Sequence, residues 1–105
     1  MEDFRTLYRI LKILQNAMDC EEFDKSQLSP EALRLSVPKW SRLMTMLLNE
    51  GYIIGGETWN AVGCGYPRVV LTRPELTLKG LEYLEENSLM KKAENLAKGI
   101  IDAIT

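Results

Sequence analysis

The hydrophobic positions of the N-terminal part recur at three- and four-residue steps, which is the spacing of an amphipathic helix. They predict a first helix from about Asp3 to Met18, whose apolar side carries Phe4, Leu7, Tyr8, Leu11, Leu14 and Met18. The tripeptide Ser29-Pro30-Glu31 then combines a capping hydroxyl, a proline for the first turn and an acid near the positive end of the helix dipole. It predicts a short second helix that ends near Ser36.

A third helix is predicted from about Pro38 to Glu50, because Pro38 is tolerated in a first turn and biases Val37 away from the helical region. Its apolar side carries Trp40, Leu43, Met44, Leu47 and Leu48. Its opposite side carries Lys39, Arg42, Thr45, Met46 and Asn49. Gly51 follows the last turn, where glycine commonly ends a helix.

The pattern changes to β-forming residues after Gly51. One strand begins at Tyr52–Ile54 and could continue to Trp59, and a second covers Arg68–Thr72. The glycine-rich segment between them predicts the tip of a β-hairpin, and Arg73-Pro74 is expected to end it. Trp59 and Tyr66 flank the tip, where they either pack on each other across the strands or stack on a ligand or partner.

The segment PELTLKGLEYLEEN, Pro74–Asn87, predicts a helix from about Leu78 to Glu86 that Thr77 caps. Its apolar side carries Leu78, Leu81 and Leu84. Gly80 lies inside this helix, where glycine costs roughly 1 kcal/mol relative to alanine. It therefore indicates a close backbone approach, expected against the first helix.

Asn87-Ser88 predicts a break before a last helix from about Leu89 to Ile104. This helix has one apolar stripe, which either seals the core or joins a second copy of the chain. The candidate homodimer interface consists of Leu89, Leu96, Ile100 and Ile104.

Helices followed directly by a hairpin are the element order of a winged helix, which a plain helix bundle does not share. We therefore expect an α+β fold: one winged-helix domain over residues 1–105, with two added C-terminal helices. The stretches NEGYIIG, Asn49–Gly55, and PELTLKGLEYLEEN also resemble the YjcQ family of small bacterial and phage-associated proteins. The resemblance implies a winged-helix fold and a mobile-element setting, and it implies no established activity. The segment TWNAVGCGYPR, Thr58–Arg68, departs most from the family.

Composition restricts the chemistry. The chain has 105 residues, of which 46% are hydrophobic and 27% charged, and neither a membrane-spanning run nor a signal peptide is visible, so we expect a cytoplasmic globular protein. It has no histidine, its cysteines Cys20 and Cys64 are expected to be buried or half-buried free thiols, and it lacks a phosphate-binding loop. The glutamates Glu82, Glu85 and Glu86 fall on expected exposed faces. We therefore expect no enzymatic activity, no cofactor, no metal and no small-molecule ligand.

The leading hypothesis is a DNA-binding or transcription-associated protein that contacts double-stranded DNA through the third helix and the hairpin. The candidate DNA-contacting residues are Lys39, Arg42, Thr45, Asn49 and Arg68, since Arg and Asn pair well with guanine and adenine. A basic row of Arg5, Arg9 and Lys12, with Arg68 and Arg73 on the hairpin, could meet phosphates. The net charge of −2 favours the interpretation of this row as ordinary surface charges. It also favours the alternative function, a protein–protein interaction module without DNA affinity.

Overall fold

The computed structural model of the protein describes residues 2–97, and the side chains of residues 2–88 among them. In chain order the elements are α1 (Glu2–Ala17), a 3₁₀ helix (Lys25–Leu28), α2 (Pro30–Leu33), α3 (Val37–Asn49), β1 (Ile53–Trp59), β2 (Arg68–Leu76) and α4 (Leu78–Ala97). Within these residues the four α-helices and one antiparallel hairpin form an α+β arrangement that is compatible with a winged helix. None of the helices in this range has the length and apolar character of a membrane span.

The core lies between α1, α3, α4 and the base of the hairpin. Its buried members are Ile10, Leu11, Leu14, Leu28, Leu33, Met44, Leu47, Ile53 and Leu84. The predicted apolar face of the third helix is confirmed, since Leu43, Met44 and Leu47 are buried. Trp40 on the same face is half-buried, and its Nε1 donates a 2.6 Å hydrogen bond to the carbonyl oxygen of Leu28.

The 3₁₀ helix was not predicted, and a local cap explains it. The Asp24 carboxylate accepts hydrogen bonds from the amide and the hydroxyl of Ser26, at 3.0 and 2.6 Å. These bonds lower the pKa of Asp24 below its ordinary value, since they favour the charged carboxylate. The capped turn ends at Leu28, which is completely buried in the core.

Serine side chains cap α2 and α3, and of these two caps the one at Ser29 was predicted. Ser29 Oγ accepts from the amide of Ala32 at 3.1 Å, and Ser36 Oγ accepts from the amide of Lys39 at 3.3 Å. The predicted end of α2 near Ser36 is wrong, because Arg34 adopts a left-handed conformation (φ 59°) that ends the helix at Leu33. The predicted end of α3 is confirmed, with Gly51 at φ 80° just past the last turn.

The hairpin is longer than predicted. The strands pair antiparallel from Ile53 opposite Leu76 to Trp59 opposite Arg68, with an irregularity between Ile54 and Gly56. The predicted stop at Arg73-Pro74 is wrong, because β2 continues through Pro74 to Leu76. In the described residues the sheet has two strands, so each is an edge strand, where proline is tolerated.

Gly55 allows this irregularity, because its φ of 87° favours glycine and an added Cβ would overlap the carbonyl of Arg73. Of the two alternatives for Trp59 and Tyr66, packing on each other across the strands is wrong. The cross-strand neighbour of Trp59 is Arg68, and Tyr66 lies in the connection between the strands.

Thr77 caps α4 as predicted, with its Oγ1 accepting from the amide of Gly80 at 3.1 Å. The same hydroxyl is the donor toward two carbonyl oxygens, that of Gly51 at 2.6 Å and that of Tyr52 at 3.0 Å. The helix packs against α1. The close approach at Gly80 is confirmed, but its partners are Tyr52 and Leu76 instead of α1, since an added Cβ would lie 2.5 Å from an atom of each.

The C-terminal predictions need two corrections. The break at Asn87-Ser88 is wrong, because α4 is continuous and Asn87 Nδ2 donates 2.8 Å to the carbonyl oxygen of Tyr83, one turn earlier in the same helix. One helix therefore replaces the two expected ones within residues 78–97. The expected burial of Leu78 is also wrong, since it is 74% exposed while Leu84 is buried.

The candidate dimer interface lies outside the part described here. The α4 backbone includes Leu89 and Leu96, but their side chains are not among those described. Ile100 and Ile104 lie outside the described residues altogether.

Candidate functional site

The hairpin lies along α3. Three α3 residues at successive helical turns meet it: Arg42, Thr45 and Leu48. Side chains three positions apart are neighbours on a helix surface, so this row follows one side of α3. We call these contacts the α3–hairpin seam.

Each contact of the seam involves a different level of the hairpin. At its base, a Cβ on Gly56 would lie 3.5 Å from Leu48 Cδ1. In its middle, the hydroxyls of Thr45 and Thr58 share a hydrogen bond of 2.8 Å. At its tip, Arg42 Nη2 donates a 3.1 Å hydrogen bond to the carbonyl oxygen of Gly65. The two elements are therefore joined over about two turns of α3.

Beside the seam, α3 presents an exposed surface. Lys39, Met46 and Asn49 are exposed there, with Met46 at 55%. Lys39 Nζ lies 2.7 Å from the carboxylate of Asp3 in the first turn of α1, and both side chains are about half exposed (45% and 56%). This surface is therefore only weakly basic, because one of its cations is paired.

The predicted DNA-contacting residues do not all share this surface. Lys39, Arg42 and Asn49 lie on exposed positions of α3, whereas Thr45 is half-buried against Thr58. Successive strand residues point to opposite faces, so Trp59 and its cross-strand neighbour Arg68 lie on the side of the hairpin away from α3. The structure thus brings three of the five residues together and separates Arg68 from them.

The predicted basic row is partly used within the protein. Arg9 Nη2 donates 3.0 Å to the carbonyl oxygen of Ala32, and Lys12 Nζ donates 2.9 Å to Gln15 Oε1. On the hairpin, Arg73 Nε lies 4.0 Å from a carboxylate oxygen of Glu75. Such exposed pairs contribute little free energy, so they do little to prevent these cations from binding another group.

The face of the hairpin away from α3 was not recognised from the sequence as a surface. It consists of Glu57, Trp59, Arg68, Val70 and Thr72, which we call the outer hairpin face. Trp59 is 46% exposed and Val70 is 51% exposed. The sequence signal for this face was the alternation of residue types along Arg68–Thr72. Val69 and Leu71 are half-buried, while their neighbours in the strand are exposed.

A second cluster that the sequence did not predict joins α4 to the turn after α3. The rings of Tyr52 and Tyr83 meet edge to face at 5.4 Å between centroids, and Lys79 Nζ lies 4.9 Å from the centroid of Tyr52. Lys79 also donates 2.8 Å to the carbonyl oxygen of Glu50, near the negative end of α3. Burial raises the pKa of Tyr83, with a smaller contribution from Tyr52. The cluster orients α4 relative to α3.

A groove of about 580 Å³ lies between the end of α1, the segment that follows it and the end of β2. Its lining is mixed, with Met18, Phe23 and Pro74 beside charged residues. Cys20 also lines it and is exposed, so its expected burial is wrong, whereas Cys64 is half-buried as expected. In the part of the chain that the structure describes, no group of carboxylates and thiols could hold a metal ion.

Three helices, a hairpin aligned with the third and a returning helix define a small α+β protein compatible with the winged-helix class. The family model of the YjcQ protein matches residues 8–103, and the chain belongs to the YjcQ family. The resemblance seen in its two sequence blocks is thereby confirmed. Comparison with curated proteins and with solved structures gives no significant match.

Proposed function

We propose that this protein is a winged-helix, DNA-binding or transcription-associated protein that contacts double-stranded DNA through α3 and the hairpin. The α3–hairpin seam carries the proposal, because it keeps the exposed side of α3 beside the hairpin tip. In helix-turn-helix proteins the corresponding helix enters the major groove. Arg42 and Asn49 belong to the residue types that pair with guanine and adenine there.

The charges of this surface set the expected strength of binding. Lys39, Arg42 and Arg68 are the cations of the candidate set, and Lys39 must exchange the Asp3 carboxylate for a phosphate. Each phosphate contact contributes about 0.9 to the slope of log affinity against log salt. We therefore expect a slope of about −2 to −3, and weak binding at physiological salt.

An electrophoretic shift with mixed genomic fragments, at about 50 and 200 mM salt, tests the proposal. Arg42→Ala combined with Asn49→Ala should weaken binding to a selected site by about 1–3 kcal/mol for each lost base contact. Lys25→Ala is the matched control, since it removes an exposed cation from the 3₁₀ helix. Unchanged affinity in the double variant would exclude this face of α3.

The second candidate function is a protein-binding module without DNA affinity. The outer hairpin face favours it, because Trp59 and Arg68 are of the types that dominate protein interfaces and are here adjacent and exposed. Val62 in the nearby connection is fully exposed. A folded protein that shifts no DNA at low salt would support this candidate over the first.

We also propose a homodimer formed through Leu89, Leu96, Ile100 and Ile104, a non-enzymatic role and a phage or mobile-element setting. The dimer rests on the apolar stripe of the sequence, and the setting rests on the family. Sedimentation equilibrium of the intact chain and of the variant Ile100→Glu, Ile104→Glu tests the dimer. An intact chain that is monomeric at concentrations of tens of micromolar contradicts it.

A further inference from the structure

The connection between the strands, residues 60–67, stands clear of the rest of the protein at several positions. Val62 is fully exposed, and among the described residues a Cβ on Gly63 or Gly65 would meet no atom within 4 Å. The turn bond from the amide of Cys64 to the carbonyl oxygen of Ala61, 3.1 Å, lies inside the connection itself. It shapes the tip and does not fix the tip relative to α3.

Arg42 supplies a bond that does fix it. Its guanidinium extends from the exposed side of α3 and donates 3.1 Å to the carbonyl oxygen of Gly65, 23 positions away in sequence. Thr45 and Thr58 hold the strands one helical turn further along α3. The Arg42 bond thus holds the hairpin to α3 at the tip, and the threonine pair holds it nearer the base.

We infer that Arg42 is a positioning residue for DNA binding, which sets the hairpin tip beside α3 so that both elements meet the duplex together. The inference rests on the proposed function and assigns Arg42 a role other than the direct base contact expected from the sequence. The two roles differ measurably. Loss of a direct base contact leaves the tip of the free protein unchanged, and loss of a direct phosphate contact reduces the salt dependence of binding. Loss of a bond within the protein changes the tip and leaves the salt dependence unchanged.

Three variants separate these roles. Arg42→Met removes both the donor and the charge, and Arg42→Lys keeps both at similar reach. Lys39→Met is the matched control, because it removes one charge from the same helix, where Lys39 pairs with Asp3 on α1. Amide chemical shifts and heteronuclear NOE values of Gly63 and Gly65 report the tip in the free protein. DNA affinity at several salt concentrations reports function, and circular dichroism checks that each variant is folded.

Arg42→Met should shift the amide signals of Gly63 and Gly65 and lower their NOE values, while Lys39→Met and Arg42→Lys leave them near those of the wild type. It should weaken DNA binding about 3- to 10-fold, the range expected for one net hydrogen bond, with an unchanged salt slope. Lys39→Met should instead reduce the slope by about 1.

Unchanged tip signals in Arg42→Met, or a salt slope reduced as in Lys39→Met, would overturn the inference while the DNA-binding proposal stands. A wild-type protein that binds no DNA would overturn the proposed function and, with it, the role of Arg42 in binding. The tip signals would then still decide whether Arg42 holds the hairpin.

Discussion

Replacing Gly80 by alanine should destabilise the protein, although the same change in most helices is stabilising. Gly80 is buried in the first turn of α4, against the end of β2 and the turn that follows α3. A Cβ at this position would lie 2.5 Å from the carbonyl oxygen of Tyr52, 2.5 Å from Leu76 Cδ1 and 3.1 Å from Leu76 Cγ. All three distances are shorter than van der Waals contact, so the neighbours or the helix must move.

Two opposing terms set the magnitude. Alanine gains roughly 0.5–1 kcal/mol over glycine inside a helix. Overpacking of a well-packed site costs typically about 1–3 kcal/mol. The side chain of Leu76 can rotate, but the Tyr52 oxygen accepts from the amide and the hydroxyl of Thr77, at 3.2 and 3.0 Å, and moving it would stretch both bonds. Overpacking should therefore win, with a net loss of about 1–2 kcal/mol.

Urea denaturation followed by circular dichroism measures this difference in the free energy of unfolding. Gly65→Ala is the matched control, because in the described structure a Cβ there has open space around it, and it should change stability by no more than about 0.5 kcal/mol. A Gly80→Ala protein as stable as the wild type, or more stable, would refute the argument from close packing. The slope of free energy against urea should be the same in all three proteins.

Three further changes test other contacts. Thr77→Val should cost about 1–2 kcal/mol in urea denaturation, because it removes a helix cap and a hydroxyl donor, whereas Thr77→Ser should retain most of the stability. Because the pKa of Tyr83 is raised above 10.0, the native state holds this proton more tightly than the unfolded chain, so the free energy of unfolding should fall as pH rises past about 10. That part of the pH dependence should be absent in Tyr83→Phe, and its persistence would contradict the assignment. Trp40→Ala should cost about 3 kcal/mol, near the low end for tryptophan because the ring is only half-buried, and a loss below about 1 kcal/mol would show that its bond to Leu28 contributes little.

Several features that depend on neighbouring residues were predicted from the sequence, although the 3₁₀ helix capped by Asp24 was not. The predicted caps at Ser29 and Thr77 and the predicted end of α3 at Gly51 use atoms within a few positions of each other. The apolar spacing of α1 and α3 likewise located the core, because one face of each helix is buried against the others.

Features that depend on distant elements were not predictable. Arg42, Thr45 and Met46 have the same polar-side spacing in α3, yet two of them bond to the hairpin and one faces solvent. Periodicity distinguishes core positions from surface positions. It does not distinguish a polar side chain that faces solvent from one that bonds to another element. Pro74 is a similar case. Proline interrupts a central strand but is tolerated in an edge strand, and only the strand pairing shows that β2 is an edge strand.

The Thr77 hydroxyl and amide have a consequence for how the hairpin can change. They bond to the carbonyl oxygens of Gly51 and Tyr52. These bonds join the start of α4 to the turn after α3, so the two ends of the hairpin are held together. The cost of closing a flexible loop rises by only about 0.6 kcal/mol for each doubling of its length. Residues added at the tip should therefore not change the positions of the C-terminal end of α3 and the start of α4. The connection between the strands, residues 60–67, can therefore be lengthened or replaced while the strands and helices that form the core keep their positions.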